Sequence, residues 1–371
     1  MLAAGGARAQ VDTAPIIVLN EGDLWKWDGS GGLQQMTFWG YNQHPAMSPD
    51  GNQVAYMAWS PITVDAVQRE GGIAGGEVPG DIKVLDVATQ QEVVIAAQPP
   101  DASFFTRGVA DKAVIRSKPA WSPDGLQLAW TEYDVPGDGM NRVMVYDFTR
   151  AAAQSVMNDL PPQAGVPVPI DIAWGQSGLI LRSTMMSAAN PAIFEDSFLV
   201  FSTEGAPQST IPVPQNENRF LTHFVLLTYD DKEYIGVQYN TEEWDLFDPL
   251  TGESQPAPGV PELYLPTLPD KTITVSVIPD AEGGGAEYQL LDVDGNPVGT
   301  PVDAGMSYEG HLGLAPDGRG VAFVSYNKQD SRYDSAVTIW NNGEVSARVE
   351  VNPLGFSFLW GPVAWRIRHK A

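Results

Sequence analysis

The 371-residue chain contains no cysteine, which excludes disulfides, thiol catalysis and cysteine-ligated metal sites. Basic residues are also scarce, because 21 Lys and Arg stand against 46 Asp and Glu, giving a net charge of −25. Nucleic acids and anionic membranes are bound by clustered Lys and Arg, so neither is an expected partner. We interpret the acidic surface as a contribution to solubility.

Long apolar runs are missing too. No segment reaches the roughly 18 apolar residues of a membrane helix, so the sequence predicts no membrane-spanning segment. Apolar residues nowhere sustain the helical period of about 3.6, and we therefore expect no helix. The 37 Gly and 30 Pro predict many turns. The hydrophobic content of 43% is enough for a substantial core.

The clearest positive feature is a repeated turn. It reads Ser48-Pro49-Asp50-Gly51 and Ser122-Pro123-Asp124-Gly125, with a decayed copy at Ala315-Pro316-Asp317-Gly318. Ser, Pro and Gly at the first, second and fourth positions are typical of a type I turn, in which Pro presets φ. Because apolar residues stand on both sides, each turn is predicted to join two strands.

Two further strand types recur about seven times each. One follows the repeated turn, at 16–19, 54–59, 128–133, 179–182, 234–239, 272–277 and 321–326. The other ends in a turn that Asp or Asn usually begins, at 23–29, 82–87, 143–148, 198–202, 244–249, 288–295 and 337–343. Four short strands in each of about seven units predict an all-β fold, a single β-propeller.

The two ends of the chain are predicted to meet in one blade. The strands within 16–39 and the strand at 361–367 together supply four strands, which would close the ring and leave no free sheet edge. The propeller domain then spans 13–371, after a leader at 1–12. Six or eight blades remain open alternatives, because the unit at 260–300 is degenerate.

The predicted leader indicates where the protein is located in or outside the cell. Residues 1–10 are small and rich in Ala, and Ala7-Arg8-Ala9 before Gln10 resembles the end of a secretory signal. The basic and most of the apolar parts of such a signal are missing, so an ordinary disordered leader is the alternative. We expect an extracytoplasmic protein that is periplasmic, on the cell surface or secreted.

At the second turn the pattern P-x-W-S-P-D-G-x-x-L-A-W, at residues 119–130, resembles the repeats of TolB-type propellers. Similar repeats occur in the propeller domains of prolyl-oligopeptidase relatives and in oligogalacturonate lyases. Copies at 45–59 and 312–326 are close to this pattern, and the other units share only the strand order. The resemblance implies a propeller and says little about activity, because one fold hosts many functions.

The insertions are predicted to lie at one end of the propeller. The connections of the repeated-turn type are short, whereas the other end receives the insertions at 60–80, 101–117, 133–141, 184–196, 281–286 and 327–334. Long loops on a rigid scaffold usually carry binding. The alternative is neutral drift, since surface loops tolerate added length at little cost.

A polar ring is predicted at the mouth of the central funnel. His44 and His311 each stand six positions before a turn aspartate, Asp50 and Asp317, and so occupy the same place in two blades. Together with the equivalent or adjacent positions, the predicted binding residues at the funnel mouth are His44, Lys118, Asp171, His223, Tyr264 and His311. The resemblance to oligogalacturonate lyases implies a metal held by histidines there. Ordinary rim residues are the alternative, and we predict no metal.

Other chemistry finds little support. No Gly-x-Ser-x-Gly elbow is present, which argues against a serine hydrolase. The segment 292–296 (Asp-Val-Asp-Gly-Asn) resembles the start of a calcium loop but lacks its final Glu, so a hairpin turn is favoured. Tyr133-Asp134 with Asp138-Gly139 is a weaker calcium candidate. We predict no cofactor, with calcium as the open alternative.

Apolar side chains within the insertions either pack them down or form a rim that binds a partner. The predicted rim residues are Phe104, Phe105, Met185, Met186 and Phe194. The sequence thus predicts a non-catalytic binding or scaffolding propeller with a protein or glycan partner, and membership of a larger extracytoplasmic assembly stays open. The alternative is a carbohydrate-active lyase or hydrolase that uses His44, His311, Lys118 and Asp171 in the funnel.

Overall fold

The computed structural model describes most of the chain, and the statements below concern these ranges. They are 16–27, 34–71, 78–105, 109–135, 141–160, 170–187, 194–216, 218–229, 232–241, 243–256, 273–279, 286–292, 296–303, 312–314, 320–329, 332–341, 344–351 and 364–365.

Antiparallel sheets follow one another along the described chain. Sheet A contains β1 (Ile16–Asn20), β2 (Asp23–Trp27), β3 (Gln34–Gln35) and the C-terminal β30 (Ala364–Trp365). Sheet B contains β4 (Asn42–Met47), β5 (Gln53–Trp59), β6 (Gly80–Asp86) and β7 (Glu92–Ala96). Sheet C contains β10 (Ala113–Arg116), β11 (Ala120–Trp121), β12 (Gln127–Val135), β13 (Asn141–Asp147) and β14 (Ala152–Leu160).

The next two sheets repeat the four-strand order. Sheet D contains β15 (Asp171–Gly175), β16 (Gly178–Met186), β17 (Phe194–Phe201) and β18 (Pro207–Pro212). Sheet E contains β19 (Leu221–Tyr229), β20 (Lys232–Tyr239), β21 (Trp244–Phe247) and β22 (Ser254–Pro256).

The last sheets lie in the C-terminal part. Sheet F contains β23 (Ile273–Pro279), β24 (Ala286–Asp292) and β25 (Pro297–Asp303). Sheet G contains β26 (Leu312–Leu314), β27 (Gly320–Gln329), β28 (Arg332–Asn341) and β29 (Glu344–Val351). A separate hairpin pairs β8 (Ser103–Phe105) with β9 (Val109–Asp111), and α1 spans Pro61–Glu70.

Neighbouring sheets pack face to face through apolar cores. Strand β5 shows why, because its residues 54–58 are all buried and their side chains point alternately to the two faces. Val54 and Tyr56 pack against Ile17 and Leu24 of sheet A, whereas Met57 packs on the opposite side against Trp130 of sheet C. Similar cores join sheets C and D, and sheets D and E.

The first strands of sheets G, A, B, C, D and E contact one another in turn. Strand β30 contacts both β26 and β4, β4 contacts β11, β11 contacts β15, and β15 contacts β19. In sheet A, Ile16 and Ile17 of β1 pair with Trp365 and Ala364 of β30. The two ends of the chain therefore share one sheet.

The strands predicted from the two recurrent patterns are present as the second and third strands of the sheets, except in the three-stranded sheet F, where they are β23 and β24. The expectation of no helix was wrong, because α1 occupies the insertion at 60–80. Its β-branched residues hide the helical pattern, yet Pro61 begins the helix well and Gly71 (φ 82°) ends it by donating its N–H to the Val67 carbonyl. Packing against β8 supplies the remaining stabilisation.

The two repeated turns have the same internal hydrogen bonds. In the first, Ser48 Oγ donates to Asp50 Oδ1 (2.6 Å) and the Gly51 N–H donates to the Ser48 carbonyl (2.8 Å). In the second, Ser122 Oγ donates to Asp124 Oδ1 at the same distance. The two motifs therefore determine the local fold as predicted, at the end of the sheets opposite the insertions.

The third strands end in a second kind of turn at this same end. Asp86 Oδ1 accepts the N–H and Oγ1–H of Thr89, and Asp147 Oδ1 accepts those of Thr149. Asp248 accepts the N–H groups of Leu250 and Thr251 and a hydrogen bond from Lys232. Burial alone would raise the pKa of Asp248, but these donors lower it to about 2.

At the opposite end, carboxylates near the start of the third strands hold the segments that cross to the next sheet. Asp23 Oδ1 accepts the Gly40 N–H (3.0 Å), and Asp81 Oδ1 accepts the Gln98 N–H (3.0 Å). In sheet D, Asp196 Oδ2 accepts Gln215 Nε2 (2.7 Å). At the insertion-bearing end, these segments between consecutive sheets are therefore held in place by hydrogen bonds.

We expect Asp248→Asn to destabilise the chain by about 1 kcal/mol at pH 7, because a charged acceptor is lost. The pKa of Asp248 in the folded chain lies below the ordinary value near 3.9. At pH values between the two, Asp248 therefore binds more protons in the unfolded chain than in the folded chain. Stability from Asp248 is therefore present above about pH 4 and lost as the pH falls towards 2. Chemical denaturation of the wild-type chain and of Asp248→Asn at pH 7, 4 and 2.5 measures the difference in their free energies of unfolding. We expect this difference to become smaller as the pH falls, and a constant difference would contradict this account.

Candidate functional site at the funnel mouth

Three of the predicted funnel residues lie on or directly before the first strands of neighbouring sheets. His44 lies in β4, Lys118 lies between β10 and β11, and Asp171 begins β15. Lys118 Nζ stands 3.8 Å from Asp171 Oδ1 and 5.7 Å from the ring centre of Phe224 in β19. Side chains from sheets B, C, D and E therefore face a shared space.

Irregular backbone places His44 and Lys118 away from the regular ladder. The pairing of β4 with β5 shifts register between Gln43 and Ala46, and His44 adopts φ 50°, a left-handed conformation that is costly for a residue with a side chain. Lys118 falls in the break between β10 and β11. Each precedes a proline, at 45 and 119, which cannot donate to a ladder.

The charges at this site act on His44. Burial lowers the pKa of His44 first, the positive charge of Lys118 lowers it further, and the carboxylate of Asp171 opposes both. His44 is therefore a neutral imidazole at pH 7. The Lys118–Asp171 pair is half-exposed at 40% and 47%, so it contributes little to stability and stays open to exchange for a ligand charge.

The three groups offer complementary chemistry. A neutral imidazole accepts a proton or a hydrogen bond, Lys118 binds an anion, and Phe224 supplies an apolar surface beneath the ammonium group. Within the described ranges, no three His, Asp or Glu residues lie close enough together to hold a metal ion.

The remaining funnel predictions fall outside what the structure describes. Tyr264 and His311 lie outside the described residues. His223 lies in β19, where its backbone pairs with Gln238 of β20, but its side chain is not among those described. Of the calcium candidates, Asp138-Gly139 and residues 293–295 lie outside the described ranges. Beside the latter segment, Leu291 of β24 pairs with Pro297 of β25 in an antiparallel ladder.

The predicted rim residues separate into three groups. Phe104 is buried and packs with Ala66 and Val78, so it follows the alternative in which an apolar residue packs its insertion down. Its ring forms the core that fixes α1 on the β8–β9 hairpin. Phe105 is 43% exposed, with the Arg69 guanidinium 5.2 Å from its ring centre.

The third group lies at the tip of the β16–β17 hairpin. Met186 and Phe194 are paired across the two strands, and each is 51% exposed. Met185 is exposed as well and is paired with Glu195. Because directly opposed residues point to the same face, Met186 and Phe194 form one contiguous apolar patch.

Comparison with solved structures identifies the architecture. Oligogalacturonate lyase in complex with manganese superposes with a TM-score of 0.51 at 13% identity, over 86% of this chain and 82% of that chain. The chain has a β-propeller-like fold. At this identity the likeness shows the fold alone.

Two further solved structures are similar at lower scores. TolB from Acinetobacter baumannii has a TM-score of 0.41 at 14% identity, over 92% of this chain and 64% of that chain. The propeller domain of the Trilobed protease from Pyrococcus furiosus has a TM-score of 0.47 at 12% identity, over 85% of each chain. The fold assignment rests on the first comparison, since these scores lie below 0.5. The sequence matches no protein-family model and no curated protein.

An aromatic cluster that the sequence patterns did not predict lies at the junction of sheets A and B. Trp39 and Tyr41 lie on the segment that crosses from sheet A to sheet B, and Trp59 ends β5. The rings of Tyr41 and Trp59 stack with centres 5.3 Å apart, and Trp39 meets Tyr41 edge-on at 5.9 Å. The signal in the sequence was the run Phe38-Trp39-Gly40-Tyr41 directly before β4.

We expect Lys118→Gln to raise the pKa of His44 and Asp171→Asn to lower it further, because the first removes a positive charge and the second a negative one. NMR titration of the imidazole signals measures both, with His44→Gln to assign the resonance. Lys232→Gln, at the opposite end of sheet E, is the matched control and should leave this pKa unchanged. Equal pKa values in all variants would contradict the described geometry.

Proposed function

We propose that the chain is a seven-bladed propeller that works as a non-catalytic binding or scaffolding module. The blades would be sheets A to G, and the ring would close through the shared N- and C-terminal sheet. The pairing of β1 with β30 and the contacts of β30 with β4 and β26 support this closure. A closed ring is a rigid scaffold, which lowers the entropic cost of holding binding loops in place.

The observation that carries the binding function is the exposed apolar tip of the β16–β17 hairpin. Met186 and Phe194 lie opposite one another on a paired, regular stretch of strand, and both remain half-exposed. Exposed apolar side chains that form a contiguous patch mark interaction sites, whereas single ones are ordinary. Methionine adapts its shape to a partner, and Phe supplies a large contact area.

The tip lies at the same end of the propeller as the funnel mouth. The β16–β17 connection joins second and third strands, as the α1 insertion does in sheet B. At the opposite end, the turn carboxylates are satisfied by hydrogen bonds from their own turns. We therefore assign partner binding to the insertion-bearing end, with the funnel-mouth residues His44, Lys118 and Asp171 receiving a polar group of a protein or glycan partner.

The proposed location is extracytoplasmic, on the strength of the Ala-rich leader that precedes β1. Within the described ranges, no helix combines the length and apolar character needed to cross a membrane. Membership of a larger assembly is compatible with a scaffolding role, and the proposed function requires no cofactor.

We expect the double variant Met186→Ser with Phe194→Ser to lose partner capture at least tenfold while keeping its fold, because both side chains are half-exposed. Immobilised wild-type and variant chains are incubated with the extracytoplasmic fraction of the source organism, and retained proteins are quantified by mass spectrometry. The matched control is Leu126→Ser with Leu250→Ser, two exposed apolar residues at the opposite end. Equal capture by both double variants would contradict the assignment.

The arrangement of His44, Lys118 and Asp171 favours a second candidate, a carbohydrate-active enzyme working in the funnel. The lowered pKa of His44 makes it a free base at pH 7, which general base catalysis requires. Lys118 would bind an acidic sugar, as the likeness to an oligogalacturonate lyase fold suggests.

Incubation with trigalacturonate, with and without manganese, separates the two candidates. Unsaturated products absorb in the ultraviolet, and new reducing ends report hydrolysis. If the binding proposal is correct, the wild-type chain shows no more turnover than the double variant His44→Ala with Lys118→Ala. Turnover by the wild-type chain that falls at least a hundredfold in this variant would establish the enzyme.

A further inference from the structure

The segment that crosses from sheet A to sheet B is held at both ends by one buried carboxylate. Thr37 Oγ1 donates to Asp23 Oδ1 (2.9 Å), and the Gly40 N–H donates to the same oxygen (3.0 Å). Asn42 Nδ2 donates to it as well, at 3.1 Å. The Met36 N–H adds a bond of 2.8 Å to the Leu24 carbonyl. The backbone on either side of residues 38 and 39 is therefore fixed.

This fixed segment presents two large aromatic side chains to solvent. Phe38 is 79% exposed and Trp39 is 37% exposed, whereas Met36 and Thr37 just before them are buried. Adjacent exposed aromatic residues are unfavourable in water. Because the backbone on either side is fixed, their exposure does not result from an unstructured loop. Such exposure is typical of a binding surface.

The orientation of the Trp39 ring is fixed too. Its Nε1–H donates to the Trp59 carbonyl (3.0 Å), and its ring meets Tyr41 edge-on. Lys83 Nζ lies over the ring, 5.9 Å from its centre, and donates to Glu92 Oε1 at 2.8 Å. Because Lys83 covers one side of the indole, a ligand must approach from the other.

The size of this platform decides the class of ligand. Phe38 and Trp39 together expose on the order of 200 Å², given that such side chains bury about 150–250 Å² each. A stable protein interface needs about 800 Å² from each partner, several times more. One or two sugar rings fit the area, since a pyranose has a flat face of C–H groups that stacks on an aromatic ring.

We propose that Phe38 and Trp39 form a saccharide-binding platform for neutral oligosaccharides. A pyranose ring stacks on the free side of the Trp39 indole, and Phe38 extends the platform to the adjacent ring. The chain carries a net charge of −25, which disfavours an acidic glycan on a surface that has no unpaired cation among the residues just described. Little side-chain freedom is lost on binding, because Trp39 is already held.

This inference rests on the proposal that the insertion-bearing end is the binding end, but it involves other residues. The platform lies between sheets A and B, whereas Met186 and Phe194 lie in sheet D. It also differs from the funnel, which Lys118 equips for an anionic group.

Calorimetric titration of the full chain with cellohexaose, xylohexaose, maltohexaose and N-acetylchitohexaose tests the platform. We expect at least one of these to bind, Trp39→Ala to weaken that binding at least tenfold, and Trp39→Phe to retain more of it than Trp39→Ala. Phe38→Ala should weaken it less. Phe220→Ala, an exposed aromatic on another crossing segment, is the matched control and should bind as the wild type does.

Absence of binding of all four sugars by the folded wild-type chain at about 10 mM would overturn the inference. Binding that Trp39→Ala and Phe38→Ala leave unchanged would overturn it equally. The Met186→Ser, Phe194→Ser variant is included so that the two proposals can fail separately. It should keep sugar binding, whereas Trp39→Ala should keep the capture of protein partners.

Discussion

Apolar packing between neighbouring sheets is the interaction on which the rest of the structure depends. Strand β5 buries Tyr56 against sheet A and Met57 against sheet C, so neither face is left for solvent. A sheet that is buried on both faces can carry function only at its ends. The insertions, the funnel residues and the aromatic platform accordingly all lie at the ends of the sheets.

Buried polar groups then determine how the sheets are joined at the insertion-bearing end. Arg116 of sheet C donates to Glu132 (2.8 Å) and also to the Gly80 and Ala97 carbonyls of sheet B. Burial alone would raise the pKa of Glu132, but Arg116, Trp130 and Arg142 hold it below its ordinary value. Because Glu132 and the two carbonyls all accept from Arg116, the buried guanidinium is satisfied and links sheet C to the backbone of sheet B.

Where the backbone is fixed in this way, exposed apolar side chains indicate a binding surface. Asp23 fixes the segment that carries Phe38 and Trp39, and the paired ladder of β16 and β17 fixes Met186 and Phe194. None of these four side chains is exposed because its backbone lacks structure. Binding at such positions requires little ordering of the protein, which suits a scaffold with a single rigid end.

The sequence by itself determined the local structure. The Ser-Pro-Asp-Gly turns, the second and third strands, and the equivalence of His44 and Lys118 follow from residue types at short range, where φ preferences and hydrogen bonds act. It missed α1, whose β-branched residues conceal a helix that packing on β8 stabilises. Only the tertiary structure decided that Phe104 is buried while Phe38 and Trp39 are exposed, because burial depends on contacts between residues that are distant in the chain.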